Sequence, residues 1–340
     1  MRVTRSRIRG IPILFIILAV YFVTRIGVLL MTSDIQAIHL PDEDRYFKES
    51  RRFDKIDVVN VFNVTSDFGN SHWFYYFINN KVIGEFGSVF YVKLLNVVVA
   101  LITGFAVSRF VSSHVGIKMG MIKVLMLWLF VPDVLVWSTY YNLKDTWVLL
   151  FYSVIYFSFF SLYEGAKWYN IVVIFFAALA LFFTRSYLVL ILSLTIGLYV
   201  LAQKFRLSKG LMLLITGTIY LFLYSFYFST KFENIIISSP SQYLFSVIRI
   251  IMTPFGMYSG IESYYNLIGV YYLIGLICLI YYSFQKRDKI SMYFFLAYIN
   301  VIGFYGFFPL NNGPRQKLPL TIIFFASILL IFCKKSRSTS

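Results

Sequence analysis

The feature that most constrains this chain is a succession of apolar runs separated by short charged or turn-rich breaks. Ten runs can be delimited: about 11–32, 88–110, 117–131, 146–163, 169–183, 187–203, 211–229, 266–284, 290–309 and 318–333. A helix of about 20 apolar residues crosses the ~30 Å hydrocarbon core of a bilayer. Several runs are shorter than that, the third, fifth and tenth most clearly. The whole chain is 59% hydrophobic and 14% charged, against about 45–50% and about 25% in soluble domains. One soluble core cannot absorb that much apolar surface. The expected fold is therefore all-α: a single membrane-embedded domain over 1–340, a polytopic helix bundle of about ten spans. This excludes a cytosolic enzyme, a secreted disulfide scaffold and a disordered tail. Cys278 and Cys333 lie in apolar runs without a CxxC and read as small hydrophobes.

The formal charge of +16 first suggests a nucleic-acid partner. Sorting the charges by loop removes that reading. With the N-terminus placed in the cytoplasm and the spans alternating, the inner segments hold 16 basic and two acidic residues. The outer segments hold 12 basic and 13 acidic residues. This is the positive-inside pattern, with both termini cytoplasmic in a multi-pass cell-membrane protein. The basic excess suits anionic membrane lipid, and no nucleic acid is implied. The basic stretch 2–9 followed by a long apolar run reads as a retained signal-anchor helix rather than a cleaved leader.

Two outer segments are long: 32–87, expected to carry short helices, and 230–265. The first holds nine of the fifteen acids, most densely in Pro41-Asp-Glu-Asp-Arg-Tyr-Phe-Lys-Glu-Ser-Arg-Arg-Phe53. Proline first, acids next and bases last suit a helix and its macrodipole. Asp42 and Tyr46 would be i,i+4 neighbours, as would Asp44 and Lys48. The plain reading is a solvated, salt-bridged surface helix. The functional reading is a carboxylate held at the membrane face as general base, with Glu43 and Tyr46 beside the substrate and bases nearby for its negative charge.

Three further breaks carry charge. Pro132-Asp133 through Trp137-Ser138 leads to Lys144-Asp145, where Asp145 could simply be a helix N-cap. Arg185 sits in Thr184-Arg-Ser-Tyr187 between two apolar runs, where it could snorkel to the interface. Arg315 and Lys317 stand in Asn311-Asn-Gly-Pro-Arg-Gln-Lys-Leu-Pro319, which also reads as an ordinary turn. Arg25 lies inside the first run and could face the bundle interior. Outer carboxylates beside Lys144, Arg185, Arg315 and Lys317 suit a substrate with a phosphate leaving group. P-loop, HExxH and GxSxG motifs are absent, and His39, His72 and His114 are far apart in sequence. Asn63-Val-Thr65 fits a glycosylation sequon.

In this order the features resemble those of multi-spanning GT-C-type glycosyltransferases, especially bacterial relatives of protein mannosyltransferases. Asp42-Glu-Asp-Arg-Tyr46 resembles the family's D-x-x-x-Y after the first span. Lys93-Leu-Leu-Asn96 resembles its r-l-l-N, and Pro132 through Asp145 its P-s-l-l-x-W-s followed by l-K/R-D. Thr184-Arg-Ser-Tyr187 resembles l-R-p-y, and Gly313-Pro-Arg-Gln-Lys-Leu-Pro319 the late R-y-R-L-P. The resemblance covers roughly 10–330. It implies a sugar donor on a polyprenyl phosphate, a glycan or lipid acceptor, and inversion at the anomeric carbon. Asp42 would be the base, with Asp44 the next choice, and Lys144, Arg185, Arg315 and Lys317 would contact the donor phosphate. Arg315-Gln-Lys317 departs from the R-aromatic-R pattern. No cofactor is required, although a divalent cation could sit between the outer acids. A polymerase of lipid-linked repeat units would use the same groups. A transporter or flippase would instead need ionisable groups within the spans and broken helices.

Overall fold

The computed structural model describes residues 2–31, 41–51, 72–115, 119–139, 144–165, 167–223, 240–252, 264–286, 288–307 and 314–332. Among the described residues every regular element is helical. Four helices are long and apolar enough to cross a membrane: Val89–His114, Asp145–Tyr163, Tyr169–Lys204 and Asn266–Gln285. Shorter apolar helices cover Phe15–Gly27, Lys209–Leu223, Ser241–Ile251, Lys289–Tyr305 and Lys317–Phe332. Contacts divide the chain into two compact units, Met1–Ser186 and Tyr187–Ser340.

In the first unit the order is α1 (Arg2–Met31), α2 (Pro41–Arg51), α3 (Trp73–Phe86), α4 (Val89–His114), α5 (Met121–Leu129), α6 (Pro132–Thr139) and α7 (Asp145–Tyr163). Helix α4 is the hub, touching α1, α3, α5, α6 and α7. Local chemistry sets its start. Gly87 closes α3 at φ 71°, donating its N–H to Ile83 at 2.7 Å. Ser88 then caps α4 by accepting from the Phe90 N–H at 3.2 Å. Gly104 lets α5 come close. A Cβ there would lie 2.6 Å from Leu125 and 3.0 Å from Trp128. The run at 117–131 is therefore not one continuous span. Helix α5 has nine residues, about 14 Å, under half the hydrocarbon core.

Pro41 opens α2, as the sequence pattern expects. Asp145 does not take the N-cap place. Lys144 does, with no side-chain cap bond, and Asp145 is the first helical residue. Helix α8 (Tyr169–Lys204) is broken at Arg185, whose φ −154° and ψ 88° are not helical. The break falls where the sequence places a turn between two runs. The part up to Ser186 belongs to the first unit and the remainder to the second.

The second unit continues with α9 (Lys209–Leu223), α10 (Pro240–Met252), α11 (Tyr264–Gln285), α12 (Lys289–Tyr305), a 3-10 helix (Pro314–Leu320) and α13 (Thr321–Phe332). Asp288 caps α12 by accepting the Ser291 N–H at 2.7 Å. Lys209 ties the start of α9 to the end of α11. Its ammonium donates to the Ser283 carbonyl, to the Lys286 carbonyl at 2.8 Å and to Ser291 Oγ at 2.9 Å. The Tyr220 hydroxyl donates to the Asn300 carbonyl at 2.8 Å, joining α9 to α12.

Candidate functional site

Helix α2 packs on α3, and α3 on α4. This brings the acidic segment 41–51 down onto the start of an apolar helix. Glu43 is 2% exposed, and its carboxylate lies 3.9 Å from the ammonium of Lys93, the fifth residue of α4. Taking either charge out of water alone would be prohibitive, so the pair explains both burials. Tyr46, one turn along, is buried against Tyr75 and Tyr76, with ring centroids 5.0 and 5.8 Å away. Its hydroxyl is 3.5 Å from His72 Nδ1.

His72 links α2 to the cations. Lys144 Nζ lies 2.7 Å from His72 Nδ1 and donates to the Thr184 carbonyl, also at 2.7 Å. An ammonium has only protons to offer. His72 Nδ1 must therefore present its lone pair, so the ring is neutral and carries its proton on Nε2. The next residue, Asp145, is fully buried and accepts from Arg185 Nη2 at 2.5 Å. The break in α8 lies at this arginine. Helical backbone stops there, and the side chain turns to a buried carboxylate. A second shelf of bonds holds the floor: Trp147 Nε1 donates to Asn96 Oδ1 at 3.0 Å, and Asn96 Nδ2 reaches the Tyr75 hydroxyl at 3.0 Å.

The structure thus brings together five of the sequence-expected residues: Glu43, Tyr46, Lys144, Asp145 and Arg185. Asp44 belongs to the same helix but turns outward, pairing with Lys48 at 2.7 Å on the exposed side. Asp42 leads that helix, and its side chain lies outside the described residues, as does that of Arg315. Lys317 is in the second unit. It is 4% exposed, donates to the Ile251 carbonyl at 3.4 Å and lies 6.0 Å from the Tyr272 ring centroid. Burial pushes its ammonium down to about 7. Among the described residues no group of three His, Cys, Asp or Glu converges as a metal site would need.

Sequence reasoning missed His72, and it singled out Lys93 and Asn96 as a motif without assigning them to the site. Lys93 and Asn96 share one face of a helix at i,i+3 spacing, a readable signal. For His72 the available signal was its place immediately before the aromatic helix Trp73–Phe86.

Away from the cluster, Arg25 is also buried. It donates to the Leu129 carbonyl at 2.8 Å and lies over the Tyr21 ring at 5.2 Å. It satisfies the open C-terminal end of α5.

Comparison of the chain with known protein families, with characterised proteins and with solved structures finds no match.

Proposed function

We propose that this chain is a membrane glycosyltransferase that moves a sugar from a polyprenyl-phosphate-linked donor to a glycan or lipid acceptor at the outer membrane face. The observation that carries the reading is the meeting of outer-loop residues with buried cations. Tyr46 meets His72, His72 meets Lys144, and Lys144 adjoins the Asp145–Arg185 pair. Groups that hold an anion thus sit beside an acid-rich helix. The apolar helices support a multi-pass membrane protein.

The step would be a single displacement. The acceptor hydroxyl oxygen attacks the anomeric carbon, and the bond from that carbon to the phosphate oxygen breaks. The electron pair leaves with the phosphate, and a carboxylate takes the hydroxyl proton. Lys144 and Arg185 would stabilise the departing phosphate charge. Asp42 would be the base, because Asp44 is turned to Lys48 and Glu43 to Lys93.

The test is product formation in membranes carrying Asp42→Asn or Asp44→Asn, read by mass spectrometry of extracted glycolipid. General-base loss lowers the rate by about 10²–10⁴-fold. That loss is expected for Asp42→Asn, with near-normal activity for Asp44→Asn. Full activity of both variants at normal membrane levels sinks the reading. One observation favours a second reading. An apolar helix broken at a buried arginine is also what substrate translocation uses. Reconstituted vesicles that move lipid-linked sugar, with no transfer product, would favour it.

A further inference from the structure

The second unit contains a groove of about 1150 Å³, larger than the ~300–1,000 Å³ of small-molecule pockets. Its walls are chiefly apolar. Helix α9 contributes Leu213 and Gly217, and α12 contributes Met292, Phe295 and Ile299. Along α9 the lining runs from Lys209 to Tyr220. Those 11 steps amount to about 17 Å at 1.5 Å each. That is close to the ~15 Å depth of one leaflet, half of a ~30 Å core.

One end of the groove is charged, with Arg206, Lys209 and Asp288 at the mouth. Two of these are committed to the fold. Lys209 spends its protons on Ser283, Lys286 and Ser291. Asp288 accepts from the Ser291 N–H and, at 2.7 Å, from the Tyr282 hydroxyl. Arg206 is exposed and has no hydrogen-bond or ion-pair partner among the described residues. It also occupies an unusual backbone position. Helix α8 ends with Leu207 donating its N–H to the Ala202 carbonyl at 2.9 Å, which places Arg206 in the left-handed region at φ 53°. That position usually belongs to glycine. An arginine held there at a backbone cost brings a cation to the mouth of an apolar groove. Arg206 and Lys209 against Asp288 leave the charged lining cationic overall.

We propose that this groove holds one molecule of an anionic phospholipid, its acyl chains along α9 and α12 and its headgroup phosphate on Arg206. Chain length against groove length, and headgroup charge against rim charge, both fit that occupant. The site stands independently of the transferase reading, which concerns the other unit.

The test is native mass spectrometry of the full-length chain, carried through detergent exchange and offered phosphatidylglycerol or phosphatidylcholine. Phosphatidylglycerol should be retained at about one per chain, and about tenfold more tightly than phosphatidylcholine, as one charge-assisted contact implies. Gly217→Leu should fill the groove and abolish retention. A Cβ at Gly217 meets nothing within 4 Å, so the helix should tolerate it. Arg206→Gly suits the left-handed position and should erase the headgroup preference while leaving the fold intact. Equal retention of the two lipids, or unchanged retention in Gly217→Leu, would mean annular lipid only and overturn the proposal. So would displacement of the lipid by inorganic phosphate at comparable concentration. The two-lipid comparison on the unaltered chain decides the matter even if a variant fails to fold.

Discussion

Lys144 Nζ lies 2.7 Å from His72 Nδ1 across 72 residues of sequence. This contact fastens the start of α3 to the start of α7. It also fixes the histidine as neutral, because only a lone pair can face an ammonium. Position, not only charge, is what Lys144 contributes. A guanidinium is planar and forked and does not replace a compact ammonium between His72 and the Thr184 carbonyl. Lys144→Arg should therefore lose transfer activity by at least about tenfold despite keeping the charge, as expected when a positioned electrostatic contact is removed. Initial rates in membranes with matched protein levels check this. An arginine variant with wild-type rate would show that charge alone suffices.

The buried Arg185–Asp145 pair makes a different prediction, about stability. Leaving one buried charge without its partner costs about 3–5 kcal/mol. Asp145→Asn and Arg185→Met should each lower the thermal unfolding midpoint in detergent markedly. The double variant Asp145→Leu with Arg185→Met should recover much of the loss, because two apolar groups replace two ions. Activity should stay absent in the double variant if Arg185 holds the donor phosphate. Recovered stability with recovered transfer would reduce the pair to a structural one.

Much of this arrangement was legible in the sequence, and the remainder was not, for physical reasons. Helix α2 was readable because its signals are local: a proline first, acids early, bases late. The break at Arg185 was readable because an arginine between two apolar runs interrupts both. The capping reading of Asp145 fails because capping is a local rule, whereas its partner Arg185 lies 40 residues away. Glu43 became the buried acid, and Asp44 the exposed one, through the docking of α2 on α3. A run of three acids gives no sign of which face will be covered. The apolar run at 117–131 holds only the nine-residue α5, between Gly120 and Phe130 at its caps, and its close crossing at Gly104 is a tertiary fact that hydropathy does not register.

That crossing yields a packing test. A methyl at Gly104 would lie 2.6 Å from Leu125 Cδ1, so Gly104→Ala should destabilise the first unit by about 1–3 kcal/mol. Gly84, inside α3, has nothing within 4 Å of its virtual Cβ. Gly84→Ala should instead gain about 0.5–1 kcal/mol from helix propensity. Thermal unfolding of the two variants side by side should show opposite signs. Equal effects would contradict the close approach of α4 and α5.

Lys317 offers a test through pH. It lies in the 3-10 helix that precedes α13, and burial holds its ammonium down to about 7 instead of the usual 10.5. Between those two values the unfolded chain binds the proton and the folded chain does not. Stability therefore rises with pH through that window, and the burial penalty is fully present and constant below about 7. Lys317→Met, which keeps the stem and removes the charge, should flatten this slope and stabilise the chain most at low pH. A pH slope that is identical in the two chains would remove Lys317 from this role.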